Sequence, residues 1–189
     1  MPDVPNIHEG ILRGLYKFKP AAGPAQVNLF GSGSILNEAL KAQSLLAQNY
    51  GVNADLWSVT SYTELRRDAL DTERWNRLHP DQPERKPYLV EALGDNLEMP
   101  IVAASDYMKI VADQISPWLP GRLTALGTDG FGRSENREHL RRFFEVDSAS
   151  IAAAAVSSLA RWGRFDRARA AAAVTELGLD PESLDPAHR

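Results

Sequence analysis

Residues 126–134 read L-G-T-D-G-F-G-R-S, and this stretch decides the fold class of the 189-residue chain. An apolar run ends at Leu126, three glycines, one aspartate and one arginine lie within the loop that follows, and a helical pattern begins at Ser134. Residues 27–36, V-N-L-F-G-S-G-S-I-L, repeat the arrangement. A buried strand that opens into a glycine-rich turn and then a helix is half of a strand–helix–strand unit. The two turns therefore predict an α/β sheet, with both turns at the edge where ligands and partner domains dock.

The rest of the chain alternates between strand and helix patterns. Further strands are predicted over 54–59 and 101–104, and helices are predicted over residues 35–47, 62–78, 88–93, 107–119, 135–144, 149–161 and 165–177. Such alternation implies parallel strands with right-handed crossovers. Strand formers over 11–18 precede a proline-rich turn, which predicts a hairpin with the strand at 27–30. We expect a three-layer α/β domain with a five-stranded, mostly parallel sheet and one antiparallel edge strand.

Three segments are expected along the chain. Residues 1–10 are interpreted as a leader or cut linker, 11–178 as a single α/β domain, and 179–189 as a C-terminal tail. Within the domain, Ser34 and Asp106 are the expected N-caps of the helices that follow them, because their side-chain oxygens can accept hydrogen bonds from free backbone N–H groups.

Composition excludes several functional classes. The net charge is −4 and the 21 basic residues are scattered, which argues against nucleic-acid binding. Cysteine is absent and the four histidines lie far apart, so no thiolate or histidine metal site is predicted. The N-terminus lacks the pattern of a signal peptide, and the longest apolar run, 151–160, is too short to cross a bilayer. A cytoplasmic protein without membrane contact is expected.

The first turn offers a candidate anion site. Ser32, Gly33 and Ser34, with the amides of the next helix, could hold a phosphate or carboxylate. The alternative is a plain strand-to-helix turn, because the spacing matches neither a dinucleotide nor a Walker motif.

The second turn offers an ion pair and an aromatic anchor. Asp129 and Arg133 could pair or face a partner, and Phe131 lies between two glycines. Packing of Phe131 into its own core or into another domain is the favoured interpretation, and ligand binding is the alternative.

The charged helix predicted over 62–78 offers a candidate interface. Glu64 and Arg66 belong to a dense mixture of acidic and basic residues, and Trp75 lies beside arginines. This composition suits an ion-paired contact surface anchored by tryptophan. A solvated helix face explains the same pattern equally well.

With these segments defined, the sequence resembles the C-terminal domain of the homodimeric pyruvate dehydrogenase decarboxylating component, a thiamine-diphosphate enzyme of the transketolase superfamily. The motifs that carry the resemblance run in order from residue 9 to residue 147: E-G-I-L-R-G-L-Y-K-F (9–18), L-F-G-S-G-S-I-L (29–36), Y-G-V-N-A-D-L-W-S-V-T-S-Y-T-E-L-R-R-D (50–68), E-R-W-N-R-L-H-P (73–80), A-S-D-Y-M-K (104–109), L-G-T-D-G-F-G-R-S (126–134) and F-E-V-D (144–147). An alanine-rich helix follows them, as in the family.

The resemblance implies a parent enzyme that decarboxylates pyruvate on thiamine diphosphate with magnesium and acetylates the lipoyl group of an acyltransferase component. It also implies that the catalytic and cofactor-binding residues lie in two upstream domains, so no catalytic, cofactor-binding or metal residue is predicted in this chain. The expected partners are those missing domains, a homodimer partner and the acyltransferase component. The chain by itself is expected to be inert and to support the dimer.

Two alternatives remain open at the level of sequence. One is a free-standing regulatory domain that binds an anion or nucleotide through the two glycine-rich turns. The other is a docking module that binds another subunit of the complex through Trp75, Phe131 and the charged 62–78 segment.

Overall fold

The computed structural model describes residues 7–188 and contains a five-stranded sheet with helices on both faces. The strands within this range are β1 (Leu15–Lys19), β2 (Val27–Gly31), β3 (Ala54–Val59), β4 (Ile101–Ala104) and β5 (Leu123–Leu126). The α-helices of the same range are α1 (Ile7–Arg13), α2 (Leu36–Leu45), α3 (Tyr62–Leu78), α4 (Tyr88–Leu93), α5 (Lys109–Asp113), α6 (Arg137–Phe143), α7 (Ser148–Arg161) and α8 (Arg167–Glu176).

The sheet has the order β1-β3-β2-β4-β5, and only β1 runs antiparallel to its neighbour. The prediction of one antiparallel edge strand is therefore confirmed. The predicted hairpin between β1 and β2 is wrong, because β1 pairs with β3 instead. Both hydrogen-bonding edges of β2 are occupied by the parallel strands β3 and β4, which bury it at every position.

Two hydrophobic cores, one on each face of the sheet, create the three layers. On one face, α2 and α7 pack against β2, β3 and β4, and α8 packs on α7. On the other face, α3, α4 and α5 cover side chains such as Phe30, Trp57 and Ile101. Strands β2, β3 and β4 are buried on both faces, which explains why most of their residues are apolar.

Helix α7 lies at the centre of the first core. Ten of its 14 residues are buried, and its alanines let it approach α2 closely. The stretch 137–161 has the length and apolarity of a membrane-span candidate, but 67% of its most apolar window is buried inside the domain. Such burial is typical of the core helix of a folded domain.

The two ends of the chain differ from the sequence-based expectation. Residues 1–6 of the expected leader lie outside the described residues, but Ile7–Arg13 forms α1, with Ile7 and Gly10 buried. Its charges suit a helix, because Glu9 lies in the first turn and Arg13 in the last. In the expected tail, Pro186 is buried and packs near Gly130, so this segment folds back onto the domain.

The helix predicted over 107–119 is also shorter than expected. It divides into α5 and a separate 3-10 turn over Ser116–Trp118, where Pro117 lacks the N–H group that a continuous helix needs. Asp106 does not cap α5. The backbone N–H of Lys109 donates instead to Asp129 Oδ1 at 3.1 Å, so the cap comes from the loop after β5.

Candidate functional site

Three parallel strands end side by side and bring their turns together. Gly31 of β2 pairs in register with Ala104 of β4, and Ala104 pairs with Leu126 of β5. The turns that follow these residues therefore begin at one level of the sheet edge. The sequence predicted this meeting for the two glycine-rich turns, and the register adds the turn after β4 between them.

Hydrogen bonds join the turn after β4 to the turn after β5. The backbone N–H of Thr128 donates to the carbonyl of Tyr107 at 2.9 Å, and its hydroxyl donates to the carbonyl of Asp106 at 2.9 Å. The close approach requires glycine at 127, because a Cβ atom there would lie 2.5 Å from the Tyr107 carbonyl oxygen. The turns after β4 and β5 are thus one connected surface.

The turn after β2 is mainly structural. Ser32 is buried and its hydroxyl donates to the carbonyl of Val59 at 2.9 Å, so it is not available to a ligand. Gly33 is exposed, with a positive φ of 55°. Ser34 does not cap α2. Its hydroxyl donates to Asp106 Oδ2 at 3.2 Å and links the first turn to the turn after β4.

In the turn after β5, Asp129 has a structural role. Besides capping α5, its carboxylate lies 3.9 Å from the Lys109 ammonium. The guanidinium of Arg133 lies over the Phe143 ring, 4.0 Å from its centroid. The Phe131 side chain is 93% exposed, which excludes packing into the core of its own domain. Of the two packing interpretations, contact with another domain is the one that remains.

A cleft of about 490 Å³ opens between these turns and α6. Three arginines, Arg133, Arg137 and Arg141, line it, and Ser34 and Asp106 also face it. Its apolar lining comes from Ile35, Leu140, Phe144 and Val146. The cleft therefore combines cationic side chains, hydrogen-bonding groups and apolar surface in one cavity.

Sequence reasoning missed Arg137 and Arg141 as site residues. Their i, i+4 spacing puts both on one face of α6, and this was the signal that could have identified them. It also missed Glu38, a buried residue of α2 whose carboxylate holds Arg141 in place. Burial of an acidic side chain was not readable from the sequence.

The candidate interface residues of α3 make contacts of their own. Glu64 pairs with Arg67 one turn along the helix, and this bond lowers the pKa of the Glu64 carboxyl below its usual value. Arg66 donates to the carbonyl of Gln114 at 3.2 Å. These contacts connect α3 to itself and to the segment after α5, and within the described residues they do not reach the two turns.

Trp75 is covered by two neighbouring side chains. The His79 ring stacks on it with a centroid distance of 4.5 Å, and the Arg85 guanidinium lies 3.5 Å from its ring centroid. This packing reduces the area that Trp75 can offer to a partner. Of the two aromatic residues, Phe131 is therefore the one whose side chain is left exposed.

A metal centre needs several ligand side chains close together. Within residues 7–188 no group of three or more histidine, cysteine, aspartate or glutamate side chains is close enough to hold an ion. The donor set does not fit a magnesium site of the chain's own, so no ligand is assigned to it.

Comparisons with known proteins agree with this architecture. Residues 14–147 match the family model described as the transketolase-like TK C-terminal domain. The chain is 46% identical over 181 residues to the pyruvate dehydrogenase E1 component of Pseudomonas aeruginosa and 44% identical over 189 residues to that of Escherichia coli. These alignments cover 94% and 98% of this chain but only 20% and 21% of the relatives, so the chain spans about a fifth of their length.

A solved transketolase from Pichia stipitis has the same fold. It superimposes with a TM-score of 0.57 at 20% sequence identity, over 84% of this chain and 20% of that one. The family model includes all five strands and α6, which is more than half of the chain. The chain therefore belongs to the transketolase-like C-terminal domain family.

Proposed function

We propose that this chain is the C-terminal domain of a pyruvate dehydrogenase decarboxylating component. The observation that carries the proposal is the identity of 46% and 44% with two such E1 components over nearly the whole chain. The complete enzyme, a cytoplasmic homodimer, would oxidatively decarboxylate pyruvate and transfer the acetyl group to lipoyl groups of the acyltransferase component. In that enzyme this domain has a structural role and supports the dimer.

The surface at the carboxyl edge of the sheet supports a role in domain contact. Three large apolar side chains of the connected turns are exposed, Tyr107 (57%), Met108 (56%) and Phe131 (93%), and Ile110 of α5 is 63% exposed. Exposed apolar groups concentrated on two linked loops are typical of an interaction surface. The occupant proposed for it is the upstream part of the same enzyme, which corresponds to about four fifths of the relatives' length.

Thiamine diphosphate and magnesium belong to the proposed complete enzyme and not to this chain. The described residues lack a carboxylate cluster for the metal. Their glycine-rich turns also lack the dinucleotide and Walker patterns of phosphate-binding loops. No catalytic step is assigned to the side chains of this domain, and the isolated chain is proposed to be inert.

The proposal is tested by complementation. The purified chain, supplied with thiamine diphosphate and magnesium, should give no pyruvate-dependent reduction of an artificial electron acceptor. Mixed with the separately expressed upstream part of the Escherichia coli E1 component, it should form a stable complex with pyruvate-dependent activity. Turnover by the chain alone, or failure of the two parts to associate, would contradict the proposal.

A further inference from the structure

We infer that the outer edge of β5 pairs with an extended segment of the upstream part of the same enzyme, which adds a sixth strand to the sheet. Strand β5 pairs with β4 on one side only, so it forms an edge of the sheet. An exposed strand edge can bind an extended segment through backbone hydrogen bonds. The inference rests on the proposed function, because that proposal supplies the upstream part as the occupant.

The backbone groups that face outward belong to Leu123 and Ala125. The carbonyls of Arg122 and Leu126 accept hydrogen bonds from N–H groups of β4 and of the residue after it, so both carbonyls point towards β4. Since successive residues of a strand direct their N–H and C=O groups to opposite sides, those of Leu123 and Ala125 point away from β4. These groups form no hydrogen bond with any residue between 7 and 188. The edge therefore offers donors and acceptors to an added strand.

The opposite edge of the sheet, β1, is protected against such pairing. Lys17 and Lys19 lie on it, and the register with β3 shifts between them. The carbonyl of Leu15 accepts a hydrogen bond from the Tyr88 hydroxyl at 2.8 Å. Charged side chains and bulges discourage the addition of a further strand. Strand β5, with the sequence L-T-A-L, has neither a charged residue nor a proline, and its register with β4 is regular. Of the two edges, β5 is therefore the one left open.

The surroundings of β5 offer space and charge to an occupant. A cavity of about 840 Å³ opens beside Leu126, and Ala154 and Ser157 of α7 line the same cavity. Arg161, at the end of α7, donates to the Thr124 hydroxyl at 3.3 Å and forms no ion pair within the described part of the chain. An exposed arginine beside the open edge favours an acidic side chain on the partner. The occupant is thus an extended segment with an acidic residue near Arg161.

The upstream part of the enzyme fits this description better than a second copy of the chain. Two β5 strands paired about a two-fold axis would bring the two copies of Arg161 to the same joint, and like charges there oppose pairing. The aligned segments are only 20% and 21% of two relatives, so about four fifths of their length lies outside them. The turn after β5 also carries Phe131, so the open edge is continuous with the proposed domain contact.

Residue-resolved hydrogen exchange tests the inference on the chain alone and bound to the separately expressed upstream part of the Escherichia coli E1 component. The amides of Thr124 and Leu126 bond to β4 and should be protected in both states. The amides of Leu123 and Ala125 should exchange about tenfold or more slowly in the complex than in the isolated chain. If the complex forms but these two amides exchange equally fast in both states, the inference is overturned and the proposed function stands.

Ala125→Pro should block the added strand. The proline ring removes the outward N–H group but leaves the bonds to β4, because the Ala125 N–H makes none of them. Thermal unfolding should change little, and association with the upstream part should weaken by about tenfold or more. Ala125→Ser retains the N–H group and is the matched control, with association unchanged. Equal association by a folded Ala125→Pro variant and by Ala125→Ser would overturn the inference. If Ala125→Pro does not fold, hydrogen exchange of the unchanged chain decides.

Arg161→Gln tests the acidic character of the occupant. It should weaken association by about threefold and reduce the dependence of association on salt concentration, because an exposed ion pair contributes little and is screened by salt. Unchanged affinity and unchanged salt dependence would overturn the acidic residue in the occupant.

Sedimentation of the isolated chain separates the two occupants. A monomer is expected. A dimer that Ala125→Pro dissociates would show that the occupant is a second copy, which overturns the inference. If the unchanged chain does not bind the upstream part at all, the proposed function fails and the inference fails with it.

Discussion

The Arg141 guanidinium donates to the buried carboxylate of Glu38 at 2.9 Å, across 103 positions of the chain. The other oxygen of Glu38 accepts from the backbone N–H of Ser148 at 3.2 Å. One carboxylate of α2 thus fixes both one wall of the cleft between the glycine-rich turns and α6 and the start of α7. Burial by itself raises the pKa of Glu38, but the bond from Lys41, the Ser148 N–H and the charge of Arg141 lower it overall.

Glu38→Gln is therefore expected to destabilise the domain by about 2–3 kcal/mol at neutral pH, because it leaves Arg141 without its charged partner. The folded-state pKa of Glu38 is depressed, so its contribution is complete above the ordinary value of 4.5 and is lost as the pH falls through the folded-state value. Denaturant titrations of the unchanged chain and of Glu38→Gln at neutral and acidic pH should show that the difference in their free energies of unfolding shrinks as the pH falls. Glu138→Gln, an exposed change on α6, is the control. If the stability difference between the two proteins is the same at all pH values, the ionised Glu38 carboxylate is not its source.

Phe131→Ala should leave the stability of the chain nearly unchanged, within about 0.5 kcal/mol, because the side chain is 93% exposed. It should weaken association with the upstream part of an E1 component, which surface plasmon resonance or sedimentation can measure. Leu12→Ala removes another exposed apolar side chain, on α1, and should not affect association. If the unchanged chain, Phe131→Ala and Leu12→Ala all associate equally well, Phe131 is not part of the proposed contact.

Gly130→Ala should loosen the C-terminal segment from the domain. Gly130 has φ of 94°, and a Cβ there would lie 3.1 Å from the Cα of Ala187. The expected cost is about 1–2 kcal/mol. Hydrogen exchange should increase over 180–188 in this variant. Gly132→Ala is the matched control, since its Cβ would meet no atom within 4 Å. If both variants behave alike, the packing of this segment does not depend on Gly130.

Tyr62→Phe should maintain or raise stability, by up to about 1 kcal/mol. Tyr62 is 3% exposed, its hydroxyl has no hydrogen-bond partner among the described residues, and burial raises its pKa. Tyr88→Phe is the opposite case, because the Tyr88 hydroxyl donates to the carbonyl of Leu15 at 2.8 Å, and a loss of about 1 kcal/mol is expected. Thermal unfolding of the two variants gives the comparison. A clear loss in Tyr62→Phe would indicate a partner for that hydroxyl.

The sequence determined the layers, the strands and the family of this protein. Helical periodicity placed α3 and the three C-terminal helices nearly where they are, because apolar residues recur at helical spacing along each of them. The apolar residues of β2, β3 and β4 predicted these three strands, since a strand covered on both faces is built mainly from apolar residues. Both glycine-rich turns were readable because close backbone approach leaves glycine as the fitting residue.

Only the tertiary structure decided which strand β1 joins, which residue caps α5, and which side chains surround the cleft. Asp129 rather than Asp106 caps α5, and Glu38 lies opposite Arg141, through contacts between residues that are 20 and 103 positions apart. Local periodicity reports which face of an element is buried. It carries no information on which distant element meets that face, and the pairing of charges and caps follows from that meeting.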